Sequence, residues 1–339
     1  MKIAAVLPHV EVFGGVRRYL EIGNEFARRG HEFVVFHPSG TKPTWLEFEP
    51  PVRPFAALAD ESYDVGICSE YSILPEFDRL RAGRKYFYFI LEGHKKEPEV
   101  IQKQYLYLGN SEGICRRIER KYGVRCLRAP GGVNPEIFHP LPEVDKGPRN
   151  PDEFRILCYG RIFRKRKGIR QVIRAAEGIA RKHPHLKLIL FDSLVGEDRR
   201  DPRPLVRTSL PLEFYLDLPQ SRMAWLYSQA DIFVSAERRA GWSNTTAEAM
   251  ACALPVVCTR SGTRDFAIPE ETALVVPVAH PFFLKRQVRK LIASPELRRR
   301  LSQAGYRKIQ EFTWKALVDR LEIAFAGRPA REIEIAGSL

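Results

Sequence analysis

Ala236-Glu237-Arg238-Arg239-Ala240-Gly241-Trp242-Ser243-Asn244-Thr245-Thr246-Ala247-Glu248-Ala249-Met250 follows directly on the apolar run Ile232 to Val234. The apolar run is expected as a strand and the Gly-containing middle as a loop, with a helix beginning near Ser243 or Asn244. A strand, loop and helix in that order gather unsatisfied backbone N–H groups and the positive end of a helix dipole at one point, which suits a phosphate. Glu248 lies about one helical turn further in, on a face that reaches a sugar hydroxyl of the same ligand. A simple capped turn with a solvated Glu248 is the alternative these residues leave open.

Outward from this stretch, short apolar runs alternate with amphipathic segments. In the first half, strands are expected at Ile3 to Leu7, Phe33 to Phe36, Val65 to Cys68, Tyr86 to Leu91 and Tyr105 to Leu108, with helices at Val16 to Arg28 and Ser111 to Tyr122. Residues 140–151 are rich in Pro and charge and read as an interdomain linker. The pattern then restarts, with strands at Arg155 to Tyr159, Leu186 to Phe191, Glu213 to Leu216, Ile232 to Val234, 255–258 and 273–276. Helices are expected at Ile169 to Lys182, Ser221 to Gln229, 244–252, 281–293, 295–311 and 313–326. Strand–helix alternation of this kind implies parallel, doubly wound sheets.

Length agrees with two such sheets, because 339 residues exceed what one hydrophobic core covers. The 44% hydrophobic content is that of a globular chain, and no apolar run approaches a membrane span of about 18 residues. The start, Met1 to Pro8, is too short for a secretory signal, so cytoplasmic residence is expected, with an anionic membrane surface left open as a partner. The six cysteines, at 68, 115, 126, 158, 252 and 258, form no C-x-x-C pair and suit neither a zinc site nor a disulfide framework. The net charge of +14 is uneven: residues 1–150 carry 22 Lys and Arg against 20 Asp and Glu, and residues 151–339 carry 33 against 21. Such a second half suits an acidic ligand or surface. Nucleic acid is not expected, since the basic residues do not interleave with aromatics on a strand and no helix-turn-helix or zinc pattern occurs.

Gly241-Trp242, Glu248-Ala249-Met250-Ala251-Cys252 and Pro255-Val256-Val257, followed by Gly262-Thr263, resemble in order and spacing the retaining nucleotide-sugar glycosyltransferases of the GT-B fold, in the family 4 group. That family carries two Glu residues separated by seven positions, then a helix running into a Pro-Val-Val strand. The first Glu of the pair falls here on Ala240, and the usual Gly after Cys252 is Ala253. Glu237 in the same loop is the candidate replacement. Phe312-Thr313-Trp314 resembles the element that opens the family's last helix, and Pro130-Gly131-Gly132-Val133-Asn134 the turn that ends its first domain; Trp314 is expected to pack rather than bind.

The resemblance implies an α/β GT-B architecture: two Rossmann-like doubly wound domains facing a cleft, with a C-terminal helix crossing back. It divides the chain into an acceptor domain at 1–145, a donor domain at 146–312, and a returning helix and tail at 313–339. It implies sugar transfer from a nucleotide-diphosphate donor to a glycan or lipid-linked acceptor with retention, in which the acceptor hydroxyl attacks on the face the leaving group departs from. A catalytically weak GT-B scaffold or partner subunit is the alternative that Ala240 motivates. An epimerase or a phosphorylase on the same fold is a further one.

Gly160-Arg161-Ile162-Phe163-Arg164-Lys165-Arg166-Lys167-Gly168 resembles the family's pyrophosphate-neutralising run, in which Arg161 and Lys167 match by their flanking glycines and Lys165 is the rival for the Lys role. Fixed cations there stabilise the charge gained by a leaving diphosphate. The chain has no D-x-D segment, so side chains rather than a metal are expected in that role, and no other cofactor. Gly14 and Gly15, between the first strand and helix, form either a tight turn or a close backbone approach to a ligand. Glu92 and His94, at a strand end, are candidates for binding sugar hydroxyls or assisting the acceptor. The remaining substrate-binding candidates are Gly241, Trp242, Ser243, Asn244 and Thr245, beside the catalytic candidates Arg161, Lys167, Glu237, Glu248 and His94.

Overall fold

The computed structural model describes residues 1–141, 152–195 and 199–327. The expected linker falls outside the described residues from 142 on, and so does the tail beyond 327. The chain divides into two compact units, one of residues 1–132 with 312 onward and the other of residues 133–311. The expected boundary at 145/146 lies among the undescribed residues. The observed divide comes earlier because Phe138, almost fully buried, rests edge-on at 6.2 Å from the Tyr227 ring of the second unit.

The first unit holds a seven-stranded, all-parallel sheet. Its strands are β1 (Lys2–Val6), β2 (Glu32–His37), β3 (Val52–Pro54), β4 (Ser62–Cys68), β5 (Arg81–Phe89), β6 (Leu106–Gly109) and β7 (Cys126–Arg128), in the order β3-β2-β1-β4-β5-β6-β7. Helices α1 (Gly14–Arg28), α2 (Leu74–Arg79), α3 (Glu97–Gln102) and α4 (Glu112–Tyr122) supply crossovers. A parallel sheet covered on both faces needs strands apolar on both sides, and Ile3 to Val6 are fully buried accordingly. Ser111 caps α4 by accepting from the Ile114 N–H, and Gly123 ends it in the left-handed conformation at φ 68°.

The second unit repeats the plan with six parallel strands: β8 (Phe154–Tyr159), β9 (Leu186–Asp192), β10 (Leu212–Leu216), β11 (Ile232–Ser235), β12 (Val256–Thr259) and β13 (Leu274–Val276), ordered β10-β9-β8-β11-β12-β13. Around it lie α5 (Ile169–Ala180), α6 (Met223–Ser228), α7 (Asn244–Ala251), α8 (Pro281–Ala293) and α9 (Pro295–Ile309). A core of Ile156, Val172, Leu188, Val234, Val257 and Leu284, among others, sits between the sheet and its helices.

The chain then rejoins the first unit through α10 (Trp314–Phe325). Thr313 caps this helix by accepting from the Ala316 N–H at 3.1 Å. Trp314, Leu317, Val318, Leu321 and Phe325 enter the same core as Ile3, Val16 and Phe26. Trp314 is therefore a packing residue, and a Cβ on Gly132 would lie 2.9 Å from its backbone N. Most expected elements appear within two residues of their limits. The short β3, β7, α2 and α3 were not anticipated, and β5 begins five residues before the expected Tyr86 and stops at Phe89.

Candidate functional site

In the six-stranded sheet β8 and β11 are neighbours, and successive strands run outward from them in opposite directions. Ligands of open α/β sheets bind beyond the carboxyl ends of the strands at such a reversal. Loops 160–168, 236–243 and 260–273 leave β8, β11 and β12 at that edge. They are stitched together by three main-chain N–H groups. The Arg238 N–H donates to Arg166 O at 2.7 Å, the Ala240 N–H to Ser261 Oγ at 2.8 Å, and the Ser243 N–H to Gly262 O at 2.8 Å. Gly168 holds φ +70°, and a Cβ there would overlap the Ala236 carbonyl, so only glycine lets loop 160–168 close onto the end of β11. Gly262, at φ +70°, likewise leaves no room: its Cβ would stand 2.8 Å from the Ala240 Cβ.

Glu237 is the hub of this edge. Its carboxylate is 3% exposed, accepts from Lys167 Nζ on one oxygen and from Ser243 Oγ at 2.9 Å on the other. Thr259 Oγ1 donates to the Glu237 carbonyl, and Thr246 Oγ1 lies 2.8 Å from Ser243 Oγ. The Lys167 ammonium sits 5.4 Å from the centre of the Tyr159 ring and keeps 20% of its side chain exposed. Lys165, by contrast, is exposed and offers its carbonyl to the Arg238 guanidinium at 3.1 Å. A buried carboxylate needs partners of this kind, because an isolated charge there is costly.

Several expected donors are already engaged. Ser243 precedes α7, yet its hydroxyl does not cap the helix but turns to Glu237, and its N–H serves Gly262. The amides of Asn244 and Thr245 remain the first-turn donors that a helix cannot satisfy from within. Gly241 and Trp242 are buried, and Trp242 packs on Phe266 at 4.8 Å. Arg161 is 6% exposed; its guanidinium meets Asp192 at 3.3 Å, Ser193 O at 2.9 Å and Val195 O at 3.4 Å. Burial raises the Asp192 carboxyl above its ordinary pKa, with Arg161 opposing, and pushes the Tyr159 hydroxyl up in the same pocket. Arg161 thus secures the loop after β9. Glu248, 5% exposed, accepts from Tyr227 Oη at 2.9 Å, and the same hydroxyl reaches Thr245 O at 3.2 Å.

Four candidates belong to the first unit. Gly14 and Gly15 open α1 after Phe13, and a Cβ on Gly15 would touch Ile90 Cδ1 at 3.0 Å. Glu92 is exposed. His94 stacks on Tyr71 with 3.9 Å between ring centres, and its Nδ1 accepts from the Lys96 N–H at 3.2 Å. The organiser of this loop is Glu97, a residue the sequence reading passed over. Fully buried, it accepts from the N–H groups of Gly93 at 3.0 Å and His94 at 3.2 Å, from Tyr122 Oη at 3.1 Å, and from the Arg117 fork. Burial works against its ionised form, but Arg117 and these donors hold the carboxyl below its usual 4.5.

The sequence leaves Tyr227 without a role and reads Asp192, after a strand, as an ordinary loop residue. The only signal for them was position, at a strand end and on a helix before β11. Among the described residues no group of three or more His, Cys, Asp or Glu is placed to hold a metal ion. What the edge of the second sheet offers instead is one partly exposed ammonium, first-turn amides and a buried carboxylate held by a tyrosine: donors for an oxyanion beside an acceptor for a hydroxyl.

Residues 142–308 match the family model described as glycosyl transferases group 1, a span that includes all three stitched loops. Among curated proteins, the capsular polysaccharide biosynthesis glycosyltransferase CapM of Staphylococcus aureus is 27% identical over 173 residues, covering 50% of this chain and 45% of CapM. The D-inositol 3-phosphate glycosyltransferase of Thermomonospora curvata is 27% identical over 271 residues, covering 70% of this chain and 62% of the relative. The chain thus spans less than two thirds of these relatives' lengths. Among solved structures, sucrose-phosphate synthase of Thermosynechococcus elongatus superposes with TM-score 0.77 at 18% identity, over 96% of this chain and 98% of that one. Anabaena HepE, solved with UDP-glucose, superposes with TM-score 0.73 at 14% identity, over 96% and 100%. At such identities the likeness is one of fold, and the fold is GT-B.

Proposed function

We propose, on the premise that the chain belongs through residues 142–308 to the group 1 glycosyl transferases, that it moves a sugar from a nucleotide-diphosphate donor to a glycan or lipid-linked acceptor with retention of configuration. The observation that carries this reading is the stitching of three strand-end loops around Lys167, Glu237 and the start of α7, at the point where strand order reverses. In the reaction the bond from sugar C1 to the diphosphate oxygen breaks and a bond from C1 to the acceptor oxygen forms. The acceptor's hydroxyl proton passes to the departing phosphate oxygen. Lys167 and the amides of Asn244 and Thr245 meet the charge that grows on the leaving diphosphate. Glu248, aligned by Tyr227, takes a ribose hydroxyl. Arg161 acts at one remove, by holding Asp192 and the loop after β9.

Titrating a panel of nucleoside diphosphates into the protein tests the reading. One of them binds, and Lys167→Ala weakens it about tenfold, or ~1.4 kcal/mol; if none binds, the transferase reading falls. The anomeric coupling constant of the product, read by NMR, decides retention. Cytoplasmic residence beside an anionic membrane surface accompanies the proposal; among the described residues no helix is long and apolar enough to cross a membrane.

Ala240 supports a second reading. It is 3% exposed beneath Gly262, and both oxygens of Glu237 are engaged, so this loop presents no free carboxylate to a donor sugar. A GT-B partner subunit of low activity would have this form. Binding of nucleotide sugars without transfer or hydrolysis would favour it.

A further inference from the structure

The three loops carry more positive charge than a diphosphate requires. Arg164 and Arg166 lie on the first loop, Arg238 and Arg239 on the second, and Arg260 and Arg264 on the third, and all six are exposed. The acids of these loops offset them only in part: Glu237 is buried against Lys167, Asp265 is buried, and of the exposed Glu270 and Glu271 the first pairs with Lys290 at 3.2 Å. The same hydrogen bonds that build the site join the three loops that carry them into one rim, through Arg238 to Arg166 and through Ala240 to the Ser261 hydroxyl. Arg239 holds φ +60°, a left-handed conformation that a non-glycine residue keeps only where its surroundings enforce it. Gly168 and Gly262 admit no Cβ, so the loops that carry these side chains pack backbone to backbone.

From this we infer that the acceptor glycan is anionic, and that the rim binds carboxylates along it while Lys167 and the α7 amides take the donor diphosphate. The identity of the cations favours this choice, because guanidinium forks match carboxylates in bidentate pairs, where an ammonium is a point charge. A bilayer would be the other polyanion, but surface anchoring needs apolar side chains beside the charges. The exposed large hydrophobics among the described residues, Leu91, Leu106, Leu205, Val278 and Phe282, all lie outside these loops. The inference rests on the proposed transferase reading for the purpose of the site, and on the charge distribution for its chemistry.

The test uses the full chain and two probes that differ only in charge, a tetrasaccharide of galacturonic acid and one of galactose, titrated calorimetrically at low and high salt. The uronate binds about tenfold tighter than the neutral probe and loses that advantage in high salt. In the doubly substituted Arg238→Gln, Arg239→Gln protein uronate affinity drops about tenfold, while nucleoside diphosphate affinity stays within about threefold. Arg164→Gln with Arg166→Gln repeats the measurement on another loop, should the first protein fold poorly. Equal affinity for the two probes overturns the inference, and so does a parallel loss of diphosphate binding, which would give the rim to the donor. Retention on phosphatidylglycerol vesicles without uronate binding overturns it in favour of a bilayer. Uronate binding by a chain that takes no nucleoside diphosphate would uphold the anionic ligand and sink the transferase reading alone.

Discussion

Two buried carboxylates, Glu97 in the first unit and Glu237 in the second, each organise a loop at a strand's carboxyl end, yet their partners differ in kind. Glu97 is held by two backbone amides, a tyrosine hydroxyl and a planar arginine fork. Two of those donors are main-chain groups of one loop and the other two stand on α4, so the carboxylate is saturated, with the exposed Lys121 ammonium 3.8 Å away. Glu237 is held by an ammonium on a four-carbon stem and by a serine hydroxyl that can rotate. Of the two, Lys167 keeps 20% of its side chain exposed, whereas the Ser243 hydroxyl is buried against Thr246. Burial alone therefore does not tell the two carboxylates apart; the kind of donor that holds each one does.

The contrast breaks most visibly at Glu97. Glu97→Ala strands the Arg117 guanidinium and two amides and lowers stability by about 3 kcal/mol in urea unfolding, with the second unit's ligand affinity unchanged. A loss below about 1 kcal/mol would remove the distinction. Lys167→Ala should do the reverse, a larger loss in nucleoside diphosphate affinity than in unfolding free energy, and equal losses would make it another scaffold. Tyr227→Phe leaves Glu248 without the Tyr227 hydroxyl; about 1 kcal/mol of stability is lost, with a matching fall in nucleotide affinity if Glu248 holds the ribose. The smallest effect is in pH. Because the folded Glu97 carboxyl lies below its usual 4.5, its stabilisation is complete above that value and disappears as pH falls through the folded value. Glu97→Gln should flatten the urea midpoint across that window, leaving the parent protein with the steeper acid limb.

Elements with a full hydrophobic period were legible. Ile3 to Val6, Ile156 to Cys158 and Val256 to Cys258 are central strands buried on both faces, so composition alone marks them. The first part of β5 was not, because Arg81, Arg84 and Lys85 lie in a strand whose opening residues are mostly exposed. β3 hid for a related reason: three residues ending on Pro54 at a sheet edge carry no alternation. At the site, Lys167, Glu237, Ser243 and Glu248 could be picked out because Gly168, Gly241 and the start of α7 announce a strand-to-helix turn. Their partners could not. Tyr227 and Asp192 come from other crossovers, and a hydroxyl or carboxylate that meets its neighbour only through sheet order leaves no local trace. The same holds for Arg161, whose turn toward Asp192 depends on β8 pairing with β9.

One feature of the connectivity reaches into how the molecule is made. The core around Ile3, Val16 and Phe26 includes Trp314, Leu317, Val318 and Phe325, so the first unit is completed only after the whole of residues 133–311 has been synthesised. Residues 133–311 form a contiguous unit and can assemble while the earlier sheet still waits for its last helix. A nascent chain halted before Thr313 would therefore carry every residue of the second unit beside a first unit still lacking its last helix.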